Sequence, residues 1–172
     1  YYYFNIMKSV TLFRHGKSDW SASYGTDHDR PLNKRGIRAA KKMGKFLADK
    51  NQVPELIISS TAVRAHTTVQ LAIDNAQWKS RRILERGIYG GSPDYLLGLI
   101  HSQDNIYNSI CLVGHEPNFS SFISKATNKN YINFTTANMA KVNFNVGLWT
   151  QVQFFNGELE WHQQPKNLEL SH

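Results

Sequence analysis

The chain has 172 residues, of which 41% are hydrophobic and 19% charged, which is typical of one globular domain and excludes a disordered or fibrous protein. No apolar run approaches the ~20 residues that cross a bilayer, and the opening residues lack the pattern of a signal peptide, so no membrane partner is expected. The single cysteine cannot build a disulfide framework, so we expect a cytoplasmic protein.

Domain boundaries follow from where regular patterns start and stop. A strand pattern begins just after Met7, so residues 1–6 are interpreted as an N-terminal extension. The last regular pattern ends before Pro165, so residues 165–172 are interpreted as a C-terminal tail. Between them the sequence shows no repeat or linker. We therefore expect one domain over residues 7–164, and a monomer.

The predicted elements alternate between strands and helices through most of the chain. In chain order, they are a strand at 9–13, a helix from the Asn33 cap to about 50, a strand at 53–60, a helix at 61–76, a strand at 81–85, a helix at 93–102 capped by Ser92, a strand at 108–115 and a helix at 118–127. Antiparallel strands follow at 140–146, 149–157 and 158–163, around Asn156-Gly157. This order predicts an α/β fold, a three-layer α/β/α sandwich with a mostly parallel central sheet.

Much of the net charge of +7 falls in the predicted helix after Asn33. Apolar and small residues recur there at helical spacing, which leaves the cations on the wetter faces: Lys34, Arg38, Lys41, Lys42 and Lys45. This face is either simply solvated or a basic surface for an acidic partner. No aromatic residues interleave with the charges, so no nucleic acid partner is expected.

Cationic side chains follow three of the predicted strands. Arg14 and His15 end the first strand, Arg64 lies in the first turn after the second, and His115 ends the fourth. Ligands of open α/β sheets bind outside the carboxyl ends of the strands, so these side chains are expected to converge. Gathered cations require an anion, and guanidinium groups bind phosphoryl oxygens in a fork. The pattern therefore indicates a phosphoryl site.

The segments around these residues resemble the histidine phosphatase superfamily, and within it the compact phosphohistidine phosphatase branch of SixA-like proteins. They read FRHGKSDW, RPLNKRGIRAA, SSTAVRAHTT, LVGHEPNFS and NFTTANMA. The resemblance implies a phosphoglycerate mutase-like fold. It also implies that His15 is a nucleophile that forms a phosphohistidine intermediate, in a phosphate pocket lined by Arg14, Arg64 and His115.

The expected mechanism uses no metal or cofactor, because the side chains supply the positive charge. His15 must be neutral to attack, and the neighbouring arginines disfavour its imidazolium form. Its other ring nitrogen is expected to bond a backbone carbonyl near Gly16, whose missing side chain would permit a sharp turn. Lys17 and Ser18 either extend the pocket or cap the loop.

A general acid is harder to find in the sequence. Glu85, after the third predicted strand, is the nearest candidate, and it is equally well a plain strand-end residue; Asp19 and Asp29 are others. When phosphohistidine is hydrolysed, the leaving group is a neutral imidazole. It needs less help from an acid than the alkoxide that leaves from a phosphate ester. A helix and a strand fill most of the chain between Arg64 and His115, which leaves little for a lid. Both points favour a phosphorylated protein as substrate.

Three other functions fit parts of the pattern. One is a small-molecule phosphomonoesterase on the same scaffold. Another is a non-catalytic protein that binds phosphorylated ligands. The third is a metal-dependent hydrolase whose ligands are His15, Asp27, His28 and His115, although the arginines would repel a cation.

Overall fold

A mixed six-stranded sheet forms the centre of the computed structural model, which describes residues 7–168. Its strands are β1 (Lys8–Arg14), β2 (Leu56–Ser59), β3 (Arg81–Leu84), β4 (Ser109–Gly114), β5 (Met139–Phe144) and β6 (Gly157–Gln163). The spatial order is β3-β2-β4-β1-β5-β6; the first four strands are parallel, β5 is antiparallel to β1, and β6 is antiparallel to β5. The predicted α/β fold with a mostly parallel sheet is confirmed.

Four helices cover the sheet: α1 (Lys34–Asp49), α2 (Val63–Ala76), α3 (Pro93–His101) and α4 (Asn118–Thr127). The strand alternation explains the layers, since Leu12 packs into the core beneath α3 and α4 whereas Phe13 packs into the core beneath α1 and α2. The predicted caps are present, with Asn33 accepting from Gly36 and Ser92 preceding Pro93. Within residues 7–168, no helix is long and apolar enough to cross a membrane.

One predicted strand is wrong. Residues Trp149–Gln151 form a short 3-10 helix, and β5 pairs directly with β6. Trp149 and Val152 are both completely buried, and the Trp149 indole donates to the backbone carbonyl of Tyr107 at 3.0 Å. Their spacing of three residues places both side chains on one side of a helical turn. The apolar residues of this segment therefore anchor a loop into the core instead of forming a ladder.

The C-terminal end of the described chain packs on the domain. Residues Pro165–Asn167 form a 3-10 turn, and Leu168 packs against the core beneath α1 and α2. Packed structure thus continues past the predicted boundary at residue 164. The predicted extension at residues 1–6 lies outside the described residues, as does the end of the predicted tail at 169–172.

A close contact between two glycines joins the loop after β1 to α1. A Cβ atom on Gly16 would lie 2.8 Å from the carbonyl oxygen of Gly36, and a Cβ on Gly36 would overlap the carbonyl oxygen of Lys17. The sequence predicted a sharp turn as the reason for a glycine at position 16. No glycine of the described chain has a positive φ. The backbone conformation at position 16 is therefore one that any residue can adopt. Glycine is needed there because a side chain would collide with Gly36.

We expect Gly36→Ala to lower the free energy of unfolding by roughly 1–3 kcal/mol, because the added methyl group meets backbone atoms that cannot rotate away. Urea denaturation measures this change. Gly98→Ala is the matched control, since Gly98 lies in α3 with open space around its Cα. The control should stabilise the protein by roughly 0.5–1 kcal/mol. Equal stability of Gly36→Ala and the parent protein would contradict the close-contact explanation.

Candidate active site

The pairing of β1 with β4 places two histidines side by side. These strands are parallel, with Arg14 opposite Gly114, and the His15 amide donates to the Gly114 carbonyl at 3.0 Å. His15 and His115 therefore leave neighbouring strands at the same level. Their ring centroids lie 5.2 Å apart, and each residue is only 7% exposed.

The ring of His15 is held by its own loop. Its Nδ1 atom lies 2.7 Å from the Gly16 carbonyl oxygen, the type of contact that the sequence analysis expected near Gly16. The Gly16 amide in turn donates to the Thr68 hydroxyl of α2 at 2.9 Å. A proton on Nδ1, which the carbonyl requires as its donor, leaves the lone pair on Nε2.

Both imidazoles are neutral over a wide pH range. The pKa of His15 is lowered from an ordinary 6.5 to about 4, mainly by burial, with Arg64, Arg14 and Arg30 adding to the decrease and the Gly16 carbonyl opposing it. The expected effect of the arginines is present, but burial is the larger cause. Burial, followed by the proximity of His15 and Arg64, lowers the pKa of His115 to about 3. The Nε2 atom of His115 lies 2.8 Å from the Ser60 hydroxyl, which comes directly after β2.

The two predicted arginines reach the site from different elements. Arg14 donates through Nη1 to the Phe134 carbonyl at 2.9 Å. Arg64, in the first turn of α2 and 6% exposed, donates through Nη1 to the Asp27 carbonyl at 2.7 Å and through Nη2 to the Asp27 carboxylate at 3.1 Å. The structure thus brings together all four side chains that the sequence singled out at strand ends.

Asp27, which the sequence suggested only as a metal ligand, holds two of the cationic side chains in place. Its carboxylate accepts from Arg64, from Arg30 at 2.8 Å and from the Tyr89 hydroxyl at 2.6 Å. The Tyr89 hydrogen bond and the two guanidinium groups hold the pKa of the Asp27 carboxyl well below its usual range. The spacing of Asp27 and Arg30, three residues apart in a short helical turn, is the one local signal of this role.

These side chains surround a cavity of about 330 Å³. The sequence predicted six of its lining residues: Arg14, His15, Lys17, Ser18, Arg64 and His115. It missed four: Trp20, Arg30, Glu116 and Thr136. Arg30 is buried, donates to the Ser18 hydroxyl and stacks 3.6 Å from the Trp20 ring centre. Ser18 therefore both lines the cavity and holds Arg30.

Glu85, the first candidate for a general acid, does not line this cavity. Its carboxylate accepts from the Tyr95 hydroxyl at 2.9 Å and from the Gly87 amide, so it caps the short helix Arg86–Tyr89. Glu116 is the carboxylate that does line the cavity. It accepts from the amide and hydroxyl of Ser120 at 2.7 and 2.6 Å, and this fixes its position at the start of α4.

The residue chemistry around the cavity suits an anion. Four buried nitrogen atoms have no hydrogen-bond partner among the described residues: Nε of Arg14, Arg30 and Arg64, and Nδ1 of His115. Buried donors are normally paired, so a ligand that accepts hydrogen bonds fits here. Residues 7–168 contain no group of three or more histidine, cysteine or acidic side chains arranged to hold a metal ion. Asp27, the acidic member of the predicted metal set, binds the arginines.

Comparison with known proteins finds one matching family and several relatives of part of the chain. The family described as histidine phosphatase superfamily (branch 1) matches residues 10–86. The uncharacterized protein Rv1276c of Mycobacterium tuberculosis is 35% identical over 109 residues, which cover 63% of this chain and 65% of that protein, so the chain spans just under two thirds of that relative.

Among solved structures, a protein assigned by name as the phosphohistidine phosphatase SixA of Agrobacterium tumefaciens is 26% identical, with a TM-score of 0.78 over 92% of this chain and 98% of that chain. The protein histidine phosphatase SixA complexed with tungstate is 21% identical, with a TM-score of 0.80 over 94% of this chain and 99% of that chain. The predicted phosphoglycerate mutase-like fold is confirmed by these likenesses.

We expect the free energy of unfolding to decrease as the pH falls from 6.5 toward 4. In this window the unfolded chain binds protons that the buried rings of His15 and His115 do not, so acid favours unfolding. Their contribution is complete above pH 6.5 and is lost as the pH approaches the folded pKa values. Chemical denaturation at a series of pH values measures it, and His15→Asn/His115→Asn is the comparison. An equally steep decrease in that variant would contradict the low pKa values.

Proposed function

We propose that the chain, whose residues 10–86 match the histidine phosphatase superfamily, is a phosphatase of that superfamily that works through a phosphohistidine intermediate on His15. Its proposed substrate is phosphohistidine on another protein. The proposal includes no metal or cofactor. The observation that carries it is the state of His15, a buried and neutral imidazole whose Nδ1 bonds the Gly16 carbonyl beside two arginines and a second histidine.

The first chemical step is a displacement at phosphorus. The lone pair on His15 Nε2 attacks the phosphoryl group, and the bond between phosphorus and the leaving group breaks with its electron pair going to the leaving group. If the leaving group is an imidazole, a proton from water leaves it neutral. In the second step water attacks the phosphorus, the P–N bond to His15 breaks, and its electron pair returns to Nε2. The water proton goes to the released phosphate or to solvent.

The cations are proposed to stabilise the charge of the transferring group. Arg14 and Arg64 flank His15 in the same cavity, and both keep a buried Nε–H without a partner among the described residues. Preorganised donors of this kind need no rearrangement when charge develops on the equatorial oxygens. A phosphoryl dianion also raises the pKa of His115 from its low value, because opposite charge favours the imidazolium. His115 thus becomes a further donor once the substrate binds.

Two features support a protein-borne phosphoryl group. Between β3 and β4 the chain forms only a short 3-10 helix and α3, and α3 packs against α4 on one face of the sheet. This leaves no inserted subdomain in that segment to enclose a small molecule. Glu85, the predicted acid, caps a turn outside the cavity. Phosphohistidine needs less help from an acid than an ester does.

A second candidate function is a small-molecule phosphomonoesterase, and the position of Glu116 favours it. An ester needs protonation of its leaving oxygen, and Glu116 presents a carboxyl group at the cavity wall beside His115. The amide and hydroxyl of Ser120 donate to the two Glu116 oxygens, so both are already engaged within the protein and do not face a leaving group unopposed. This is the reason to rank the ester substrate second.

We expect His15→Ala to abolish turnover and Arg64→Ala to reduce it roughly 100- to 1,000-fold, because the first removes the nucleophile and the second a transition-state donor. Purified protein and a labelled phosphoryl donor provide the measurement, with label trapped on His15 in an acid-labile, base-stable form. His66→Gln is the control, since His66 lies in α2 near Arg64 but does not line the cavity. Substantial activity in His15→Ala would rule out the mechanism, and binding without trapping would indicate a non-catalytic protein.

We expect kcat/KM to be higher on a phosphohistidine-bearing carrier protein than on an aryl phosphate or a sugar phosphate. The physical reason is the better leaving group of the P–N substrate in a cavity whose one lining carboxyl group, Glu116, is engaged by Ser120. Release of inorganic phosphate from each substrate measures the difference. Glu116→Gln separates the two candidates, since loss of ester hydrolysis alone would identify Glu116 as its acid. Faster turnover of esters by the parent protein would favour the phosphomonoesterase.

A further inference from the structure

A second, larger cavity adjoins the proposed active site. It measures about 630 Å³ and lies between α1, the loop before β5 and the C-terminal turn, lined by Lys17, Arg35, Arg38, Ala39, Lys42, Thr135, Thr136, Gln164, Pro165 and Lys166. Lys17 and Thr136 also line the active-site cavity, so the two cavities share a wall and lie side by side. We call the larger cavity the basic groove.

The charge of the basic groove is of one sign. Five of its lining side chains are cationic and none is acidic: Lys17, Arg35, Arg38, Lys42 and Lys166. None of the five forms an ion pair with another described residue. Other cations of the chain do find partners, such as Lys45 with Asp49 and Lys141 with Glu160. The groove thus concentrates uncompensated positive charge directly beside the proposed nucleophile.

Helical spacing aligns the charges along the groove. Arg35, Arg38 and Lys42 are separated by three and four residues on α1, so they follow one side of the helix. At about 1.5 Å of rise per residue they cover roughly 10 Å along the helix axis, with neighbouring charges about 4.5 Å and about 6 Å apart. Same-side side chains of an extended peptide repeat at about 6.6 Å. A row of carboxylates on an extended chain therefore matches this row of cations, whereas a single phosphate would engage only part of it.

We propose that the basic groove binds an acidic polypeptide segment next to the phosphorylated residue of the protein substrate. This inference rests on the proposed function for its placement, since the groove shares Lys17 and Thr136 with the cavity that His15 lines. The aliphatic stems of the lysines and arginines, with Ala39 and Pro165, give the segment an apolar surface to lie on. The charges supply attraction and orientation more than raw affinity.

A single-stranded nucleic acid is the main competing polyanion, and the groove lacks what such a ligand needs. Bases are held by stacking on aromatic side chains, and no aromatic residue lines the groove. The nearest exposed one at the active-site cavity, Trp20, already stacks on Arg30. Acidic peptide carboxylates need only the cations, which is what the groove provides.

The test measures binding of a fluorescent, unphosphorylated glutamate-rich peptide to the full chain at low ionic strength. We expect Arg38→Glu/Lys42→Glu to weaken this binding roughly tenfold or more. The matched control is Lys34→Glu/Lys41→Glu, which changes the net charge equally on the same helix but outside the groove. The control should stay within about twofold of the parent protein, and added salt should weaken the parent's binding.

Turnover of two phosphohistidine peptides, one with flanking glutamates and one with flanking glutamines, gives the second readout. The parent and the control should prefer the acidic peptide by kcat/KM, and Arg38→Glu/Lys42→Glu should lose the preference. Equal binding by the two double variants would overturn the groove proposal whether or not the protein is active, as would tighter binding of an oligothymidylate of matched charge. Absence of turnover with intact, groove-dependent peptide binding would instead reject the proposed function alone.

Discussion

The register between β1 and β4 is the constraint on which the rest of the site depends. Because Arg14 lies opposite Gly114, the two strands end at the same level, and His15 and His115 follow them side by side. A slip of one residue would send every side chain of β1 to the opposite face, and His15 with them. The buried alternation of Leu12 and Phe13 between the two cores opposes such a slip. Core packing thus fixes the reactive geometry.

Charge balance is the second requirement, and Asp27 meets part of it. Arg30 and Arg64 would repel each other at close range, and one carboxylate between them offsets that repulsion while it orients both. Arg14 has no carboxylate partner among the described residues and bonds a carbonyl instead. The cluster therefore keeps a net positive charge, which a bound anion would neutralise. Burial of the two histidines in neutral form prevents this charge from growing further.

The sequence predicted the position of a side chain correctly where a local pattern allows only one arrangement. Arg14, His15 and His115 follow apolar strands, and parallel strands of one sheet end at the same edge, so these side chains could be placed together at that edge. It failed where distant side chains decide. Asp27 accepts a hydrogen bond from Arg64, which lies 37 positions later in the chain, and no local sequence pattern predicts that contact. Trp149 resembled a strand residue because burial in a loop and burial in a sheet select the same apolar side chain.

Helix α1 links the proposed active site to the basic groove. At its first turn, Gly36 lets the helix approach the loop of Gly16 and Lys17 so closely that neither glycine has room for a side chain. Farther along, Arg38 and Lys42 line the basic groove. A rigid helix that contacts the loop of Gly16 and Lys17 at one end holds the groove at a fixed distance from His15, the proposed nucleophile. Under the proposed function, an acidic segment bound along α1 would bring its phosphorylated residue toward His15, so that the spacing of the charges helps to position the substrate.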